Sequence, residues 1–160
     1  MKLQEAIQKI RTETGSLNIS LRSNNIGDKE ASEIAGAIKL TKLSQLDIDL
    51  SFNNIGDRGA SEIAGAIKLI KLFQLNIALC SNKIGDKGAK AISQSMTKTK
   101  LFSLGVWLRN NNIKSEELKA SIAVACKNVN SRNRAKQKET HQKKLSESES
   151  GQQIKQLNRG

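Results

Sequence analysis

Residues 46–69 read LDIDLSFNNIGDRGASEIAGAIKL, and two periodicities meet inside this one stretch. Leu46, Ile48 and Leu50 alternate with Asp47, Asp49 and Ser51. That period of two sets successive side chains on opposite faces of a strand and buries one face. After a turn the period changes: Ala60, Ile63, Ala64 and Ile67 recur at i, i+3, i+4 and i+7, one apolar stripe along a helix. The stretch is a strand, a turn and an amphipathic helix.

The same unit occurs four times. LNISLRSNNIGDKEASEIAGAIKL begins at Leu17, LNIALCSNKIGDKGAKAISQSM at Leu75 and LGVWLRNNNIKSEELKASIAVAC at Leu104, so with Leu46 each start follows the last by 29 residues. Because every strand is followed by a helix that returns the chain to the same end, the four strands must run parallel. Strands stack about 4.8 Å apart and helices pack about 8–10 Å apart. The stack therefore curves, with strands on the concave side. Asp28, Asp57, Asp86 and Ser115 fall where a helix N-cap is wanted. Gly36 and Gly65, inside the helices, cost helix stability and predict a close approach of neighbouring helices. Leu3, Ala6, Ile7 and Ile10 share one helical face, which makes 1–16 an N-terminal capping helix and connector. The repeats occupy 17–127, and 128–160 is a basic tail, too polar and aperiodic to fold alone.

The consensus LxIxLxxNxIGDxGA, followed by an Ala-rich helix, resembles the ribonuclease-inhibitor-like leucine-rich repeats. That resemblance covers 17–127 and implies a right-handed α/β solenoid, a short horseshoe arc of four strand-turn-helix repeats. It also implies that Asn24, Asn53, Asn82 and Asn111 turn inward and bond neighbouring backbone groups as a structural ladder. The chemistry agrees, since a buried amide offers both donors and acceptors. Some proteins built of such repeats stimulate a GTPase, which stands as an outside alternative. Repeat one has Glu30 where Gly59 and Gly88 stand, and repeat four has Lys114 and Ser115 for Gly-Asp, as terminal units need not match a neighbour on both sides.

Composition narrows the function. With no Pro, no Tyr, one Trp and three Phe in 160 residues, burial falls to Leu, Ile, Ala and Val packed in regular layers. No run of about 18 apolar residues spans a bilayer, and the N-terminus lacks an apolar signal core. Cys80 and Cys126 form no CxxC pair, which fits a reducing compartment. The expected location is the cytoplasm, with the nucleus as the alternative. No phosphate-binding glycine loop, nucleophile arrangement or metal-ligand cluster is present, so no catalytic residue, metal or cofactor is expected. Half of the formal charge of +12 lies in 127–160. Its Arg132, Arg134, Lys136, Lys138, Lys143 and Lys144 suit either a solvated tail or a nucleic-acid contact.

The expected binding surface is the concave strand face, whose core positions repeat while its outward positions do not. Those outward residues are Asn18, Ser20, Arg22, then Asp47, Asp49, Ser51, then Asn76, Ala78, Cys80, then Gly105, Trp107, Arg109. Trp107 points outward between Val106 and Leu108, beside Ala78, whose small size leaves room for an inserted side chain. Exposed aromatics flanked by Arg are typical interface anchors. Phe52, just past its strand, either joins this surface or packs into the turn. Asp47 and Asp49 sit roughly 7 Å apart on one strand face without a third ligand, and make the surface mixed in sign. The partner-binding set is thus Arg22, Asp47, Asp49, Phe52, Asn76, Cys80, Trp107 and Arg109, and the partner another protein, bound by a monomer or by a subunit of a larger complex. Lys39, Lys42, Lys68, Lys71, Lys98 and Lys100 form a basic ridge at helix ends and strand entries. The ridge is either a consequence of helix dipoles and duplication or a docking strip for an acidic protein, RNA or an anionic membrane.

Overall fold

The computed structural model describes residues 1–124 together with 139, 140 and 142. Apart from those three positions, the basic tail and its arginine and lysine cluster lie outside the described residues, as does Cys126. The elements alternate: α1 (Leu3–Thr12), β1 (Thr14–Ser20), α2 (Asp28–Lys39), β2 (Lys42–Asp49), α3 (Asp57–Leu69), β3 (Gln74–Ala78), α4 (Asp86–Lys98) and β4 (Ser103–Trp107). Helical turns follow over 116–124. The strands form one parallel sheet in the order β1-β2-β3-β4. Its register places Leu17, Leu46, Leu75 and Leu104 in one row and Ile19, Ile48, Ile77 and Val106 in another. From Ser16 onward each paired strand residue therefore lies beside the one 29 positions further on, and the chain is an α/β solenoid.

The core lies between sheet and helices. Ile48, Leu50 and Ile55 from the strand and turn meet Ala60, Ile63 and Ile67 from α3, all fully buried. Alternating Ala with Ile on the helix lets it sit close to the sheet while filling the layer. At the N-terminal end α1 buries Ala6, Ile7 and Ile10 and packs on α2 and β2.

The first two strands begin earlier than their alternation suggests, at Thr14 and Lys42 rather than Leu17 and Leu46. Gly15 pairs with Leu43 but Ser16 with Gln45, so Ser44 is an extra residue. Such a bulge reverses the facing of everything before it and hides the strand entry from a period-two count.

A second difference concerns the acidic residues placed at the helix starts. Gly27, Gly56 and Gly85 are the N-caps, and Asp28, Asp57 and Asp86 begin the helices without capping them. Each carboxylate serves the next helix instead. Asp28 Oδ1 accepts from the N–H groups of Gly56 (2.7 Å) and Gly59 (2.9 Å). Asp57 Oδ1 accepts from Gly85 (2.7 Å) and Gly88 (2.8 Å), and Asp86 Oδ1 from Lys114 (2.8 Å) and Ser115 (3.1 Å). Helix N-termini leave amides unsatisfied, and stacking brings the preceding carboxylate within reach. Only Ser115 caps its own helix, accepting from Leu118 N–H at 3.2 Å. Helix α2 has no preceding Asp, and there Glu30 Oε2 accepts from Gly27 N–H at 3.0 Å. Bonds from the Glu30 and Gly27 backbone amides hold that carboxyl below its ordinary range.

Close helix packing also falls on different glycines from those expected. Nothing lies within 4 Å of a Cβ built on Gly36, and only Lys39 Nζ, at 3.9 Å, approaches one on Gly65. A Cβ on Gly59 would stand 2.8 Å from Asp28 Oδ1 and 2.9 Å from both Ala31 Cβ and Ile55 Cγ2, and Gly88 is equally enclosed. Substitution to alanine should therefore have opposite signs at the two kinds of site. Gly36→Ala is expected to raise stability by about 0.5–1 kcal/mol through helix propensity. Gly59→Ala is expected to lower it by about 1–3 kcal/mol through overpacking. Urea midpoints shifting in the same direction would contradict this packing.

Candidate functional site: the outward face of the sheet

Beyond the last strand residues the chain continues to pair between turns. Leu21, Leu50 and Leu79 donate their N–H groups to Asp49, Ala78 and Trp107, and Ser23, Phe52 and Ser81 donate to Ser51, Cys80 and Arg109. The backbone under the outward face is thus rigid from the strands into the turns. Ser51 does not belong to that face: it is 3% exposed, because the chain turns inward there toward Asn53.

The turns are held by asparagine. Asn53 Oδ1 accepts from the N–H groups of Asn24 (2.9 Å) and Ile26 (3.0 Å). Its Nδ2 donates to the carbonyls of Leu21 (3.0 Å) and Leu50 (2.9 Å). Asn82 accepts from Ile55 and donates to Leu50 and Leu79, and Asn111 accepts from Ile84 and donates to Leu79 and Leu108. Asn24 departs from the expected ladder. It is exposed and donates to Arg22 O at 2.8 Å, since no earlier repeat offers it a backbone to serve.

Two groups of the expected partner-binding residues come together. In the first, Phe52 stands 48% exposed with the Arg22 guanidinium carbon 3.9 Å above its ring centroid. The ring does not pack into the turn. Its backbone has φ 58, as Ser23, Ser81 and Asn110 do at the matching positions of the other turns. A left-handed backbone suits small polar residues and disfavours an aromatic one, and the cation–π contact offsets part of that strain.

In the second group, Asp47 Oδ2 accepts from Asn76 Nδ2 at 3.4 Å. Trp107 is 47% exposed, and its ring folds back along the strand. Its Cη2 lies 2.6 Å from where a Cβ on Gly105 would be, and Asn76 Oδ1 lies 2.7 Å from the same point. The missing side chain of Gly105 makes room for the indole.

The remaining residues are more dispersed. Asp49 is half-buried and accepts from Ser51 N–H at 2.8 Å. Cys80 is a half-buried free thiol, and Arg109 is exposed. Among the described residues no three His, Cys, Asp or Glu side chains are grouped to hold a metal, and no helix is long and apolar enough to cross a membrane. The lysine ridge is on a different border of the sheet, where helices end and strands begin.

A parallel sheet in 29-residue register beyond the Ser44 bulge, helices returning on one side and a buried Asn holding each inner turn decide the architecture. The fold is a leucine-rich-repeat solenoid. A family model described as Leucine Rich repeat matches residues 39–64 and 75–93 of the solenoid. Its backbone is similar to a solved structure titled Leiomodin-1 Actin-Binding Site 2 (ABS2), with a TM-score of 0.64 and 18% identity over 91% of this chain and 95% of that one. At that identity the likeness is one of fold. No curated protein matches the sequence.

Two features of the solenoid's face were missed in the sequence. The spacing of Gly105 and Trp107 at i and i+2 on one strand face was a usable signal for the folded-back ring. The Arg22–Phe52 contact had none, because it depends on the left-handed turn that aims Phe52.

Proposed function

We propose that the chain is a protein-recognition module, an adaptor or assembly subunit, whose partner docks on the concave strand face with Trp107 as anchor. The observation that carries this reading is the pose of Trp107. A large ring lies on a glycine floor, fixed at its base by strand pairing, with nearly half of its surface left to solvent. Burying such a ring on association recovers apolar area at little entropic cost, which is why Trp dominates interface hot spots. Arg22, Asp47, Asp49, Asn76 and Arg109 supply the polar and charged surroundings that fix register in protein interfaces. A fold neighbour whose title describes an actin-binding site offers precedent for binding a protein with this architecture. The repeats themselves we assign to the ribonuclease-inhibitor-like class.

The test is paired affinity purification with the full chain and its Trp107→Ala variant as baits. The variant is expected to fold normally and to lose about 2 kcal/mol or more of partner affinity, roughly thirtyfold in Kd. Free protein should show red-shifted, quencher-accessible fluorescence that moves to the blue on partner binding. Equal recovery by both baits, or a blue and unquenchable Trp in the isolated chain, would remove this site.

A further inference from the structure

We propose that the edge of the solenoid where helices end and strands begin docks on an anionic lipid bilayer. Stretches 39–44, 68–73 and 97–102 follow one another at the 29-residue interval and lie along this edge. Leu40 is 70% and Leu69 64% exposed, more than any other large hydrophobic residue described. Both follow the last buried turn of a helix and pack on nothing that hides them. Beside them Phe73, 48% exposed, stacks on Phe102 with centroids 4.4 Å apart and planes 9° apart. Two leucines and an aromatic shelf therefore protrude from one border of the molecule.

The same stretches carry Lys39, Lys42, Lys68, Lys71, Lys98 and Lys100, all exposed. Residues 39–46, 68–75 and 97–104 contain no Asp or Glu. Among the described residues only Lys39 of the six is ion-paired, with Glu62 at 3.8 Å. Helix-dipole complementarity accounts for Lys39, Lys68 and Lys98 in or next to last turns. It does not account for Lys42, Lys71 and Lys100, which lie beyond the helices, where that field has faded.

A bilayer satisfies both halves of the pattern. Aliphatic and aromatic side chains enter the boundary between headgroups and acyl chains while lysines remain at the level of anionic phosphates. RNA would use the lysines but not the leucines, which have no hydrogen bond or stacking surface to offer. It would also find one face of each phenylalanine already taken by the other. Docking by this edge leaves the outward sheet face open to a protein partner, so the inference stands independently of the proposed recognition site.

The test uses the full chain in sedimentation with phosphatidylcholine vesicles, with and without phosphatidylserine. Binding is expected only when phosphatidylserine is present. Two variants separate the contributions: Leu40→Ser with Leu69→Ser, and Lys42→Gln with Lys71→Gln and Lys100→Gln. Every substituted side chain is exposed, and circular dichroism should confirm that both variants remain folded. Each is expected to lose about tenfold or more in vesicle affinity. The basic tail is common to all three proteins, so binding that survives the leucine substitutions would be charge attraction alone and would overturn the proposal. Absence of binding to phosphatidylserine vesicles would overturn it as well. Single-stranded RNA bound in place of vesicles, with loss in the lysine variant only, would reassign the edge to nucleic acid.

Discussion

Leu50→Ala lowers the stability of the isolated chain by about 2–5 kcal/mol, measured from denaturant midpoints, and Ile48→Ala falls in the same range. Both side chains are fully buried. Ile48 is flanked by Ile19 and Ile77 in the sheet register, and the Leu50 backbone is tied to Ala78 on the next turn. A solenoid core has one layer of each kind per repeat, so a deleted side chain in an inner repeat leaves a gap that neighbours on both sides, held by parallel pairing, cannot close. Asp47→Ala provides the contrast, since it loses an exposed carboxylate with one long contact to Asn76. Equal shifts for Leu50 and Asp47 would mean that the strand does not face as described.

Asn53→Ala is expected to cost about 1–3 kcal/mol, because it leaves buried backbone groups without partners. The amide joins two successive turns. It receives the N–H groups of Asn24 and Ile26 and returns its own protons to the carbonyls of Leu21 and Leu50. Alanine cannot replace any of these bonds, and water has little access to a side chain that is buried in the turn. Asn24→Ala, at an exposed position, should change stability little. A urea midpoint for Asn53→Ala equal to that of Asn24→Ala would show that the ladder does not hold the turns.

What could be read from the sequence was whatever repeats locally. The strand facing of Leu46, Ile48 and Leu50, the apolar stripe of Ala60, Ile63, Ala64 and Ile67 and the 29-residue offset required no knowledge of neighbours. Together they dictated a parallel stack, because period and interval are properties of consecutive residues. The outward position of Trp107 followed from the same counting.

Contacts between turns were decided only in the folded chain. Asp57 looks like the cap of its own helix and caps the next one, since only stacking brings Gly85 and Gly88 to its carboxylate. Gly59 resembles Gly36 as a helical glycine, yet of the two only Gly59 faces Asp28, at 2.8 Å, and Ala31, at 2.9 Å. Ser44 reverses the facing of the β2 entry through a bulge defined by its partner strand. Phe52 is aimed outward by a left-handed turn and held under Arg22 from the preceding repeat. In each case the deciding atom lies roughly one repeat away in sequence but within a few ångströms in space. Periodicity specifies which rows stack, whereas the distances across a row depend on how closely the turns pack.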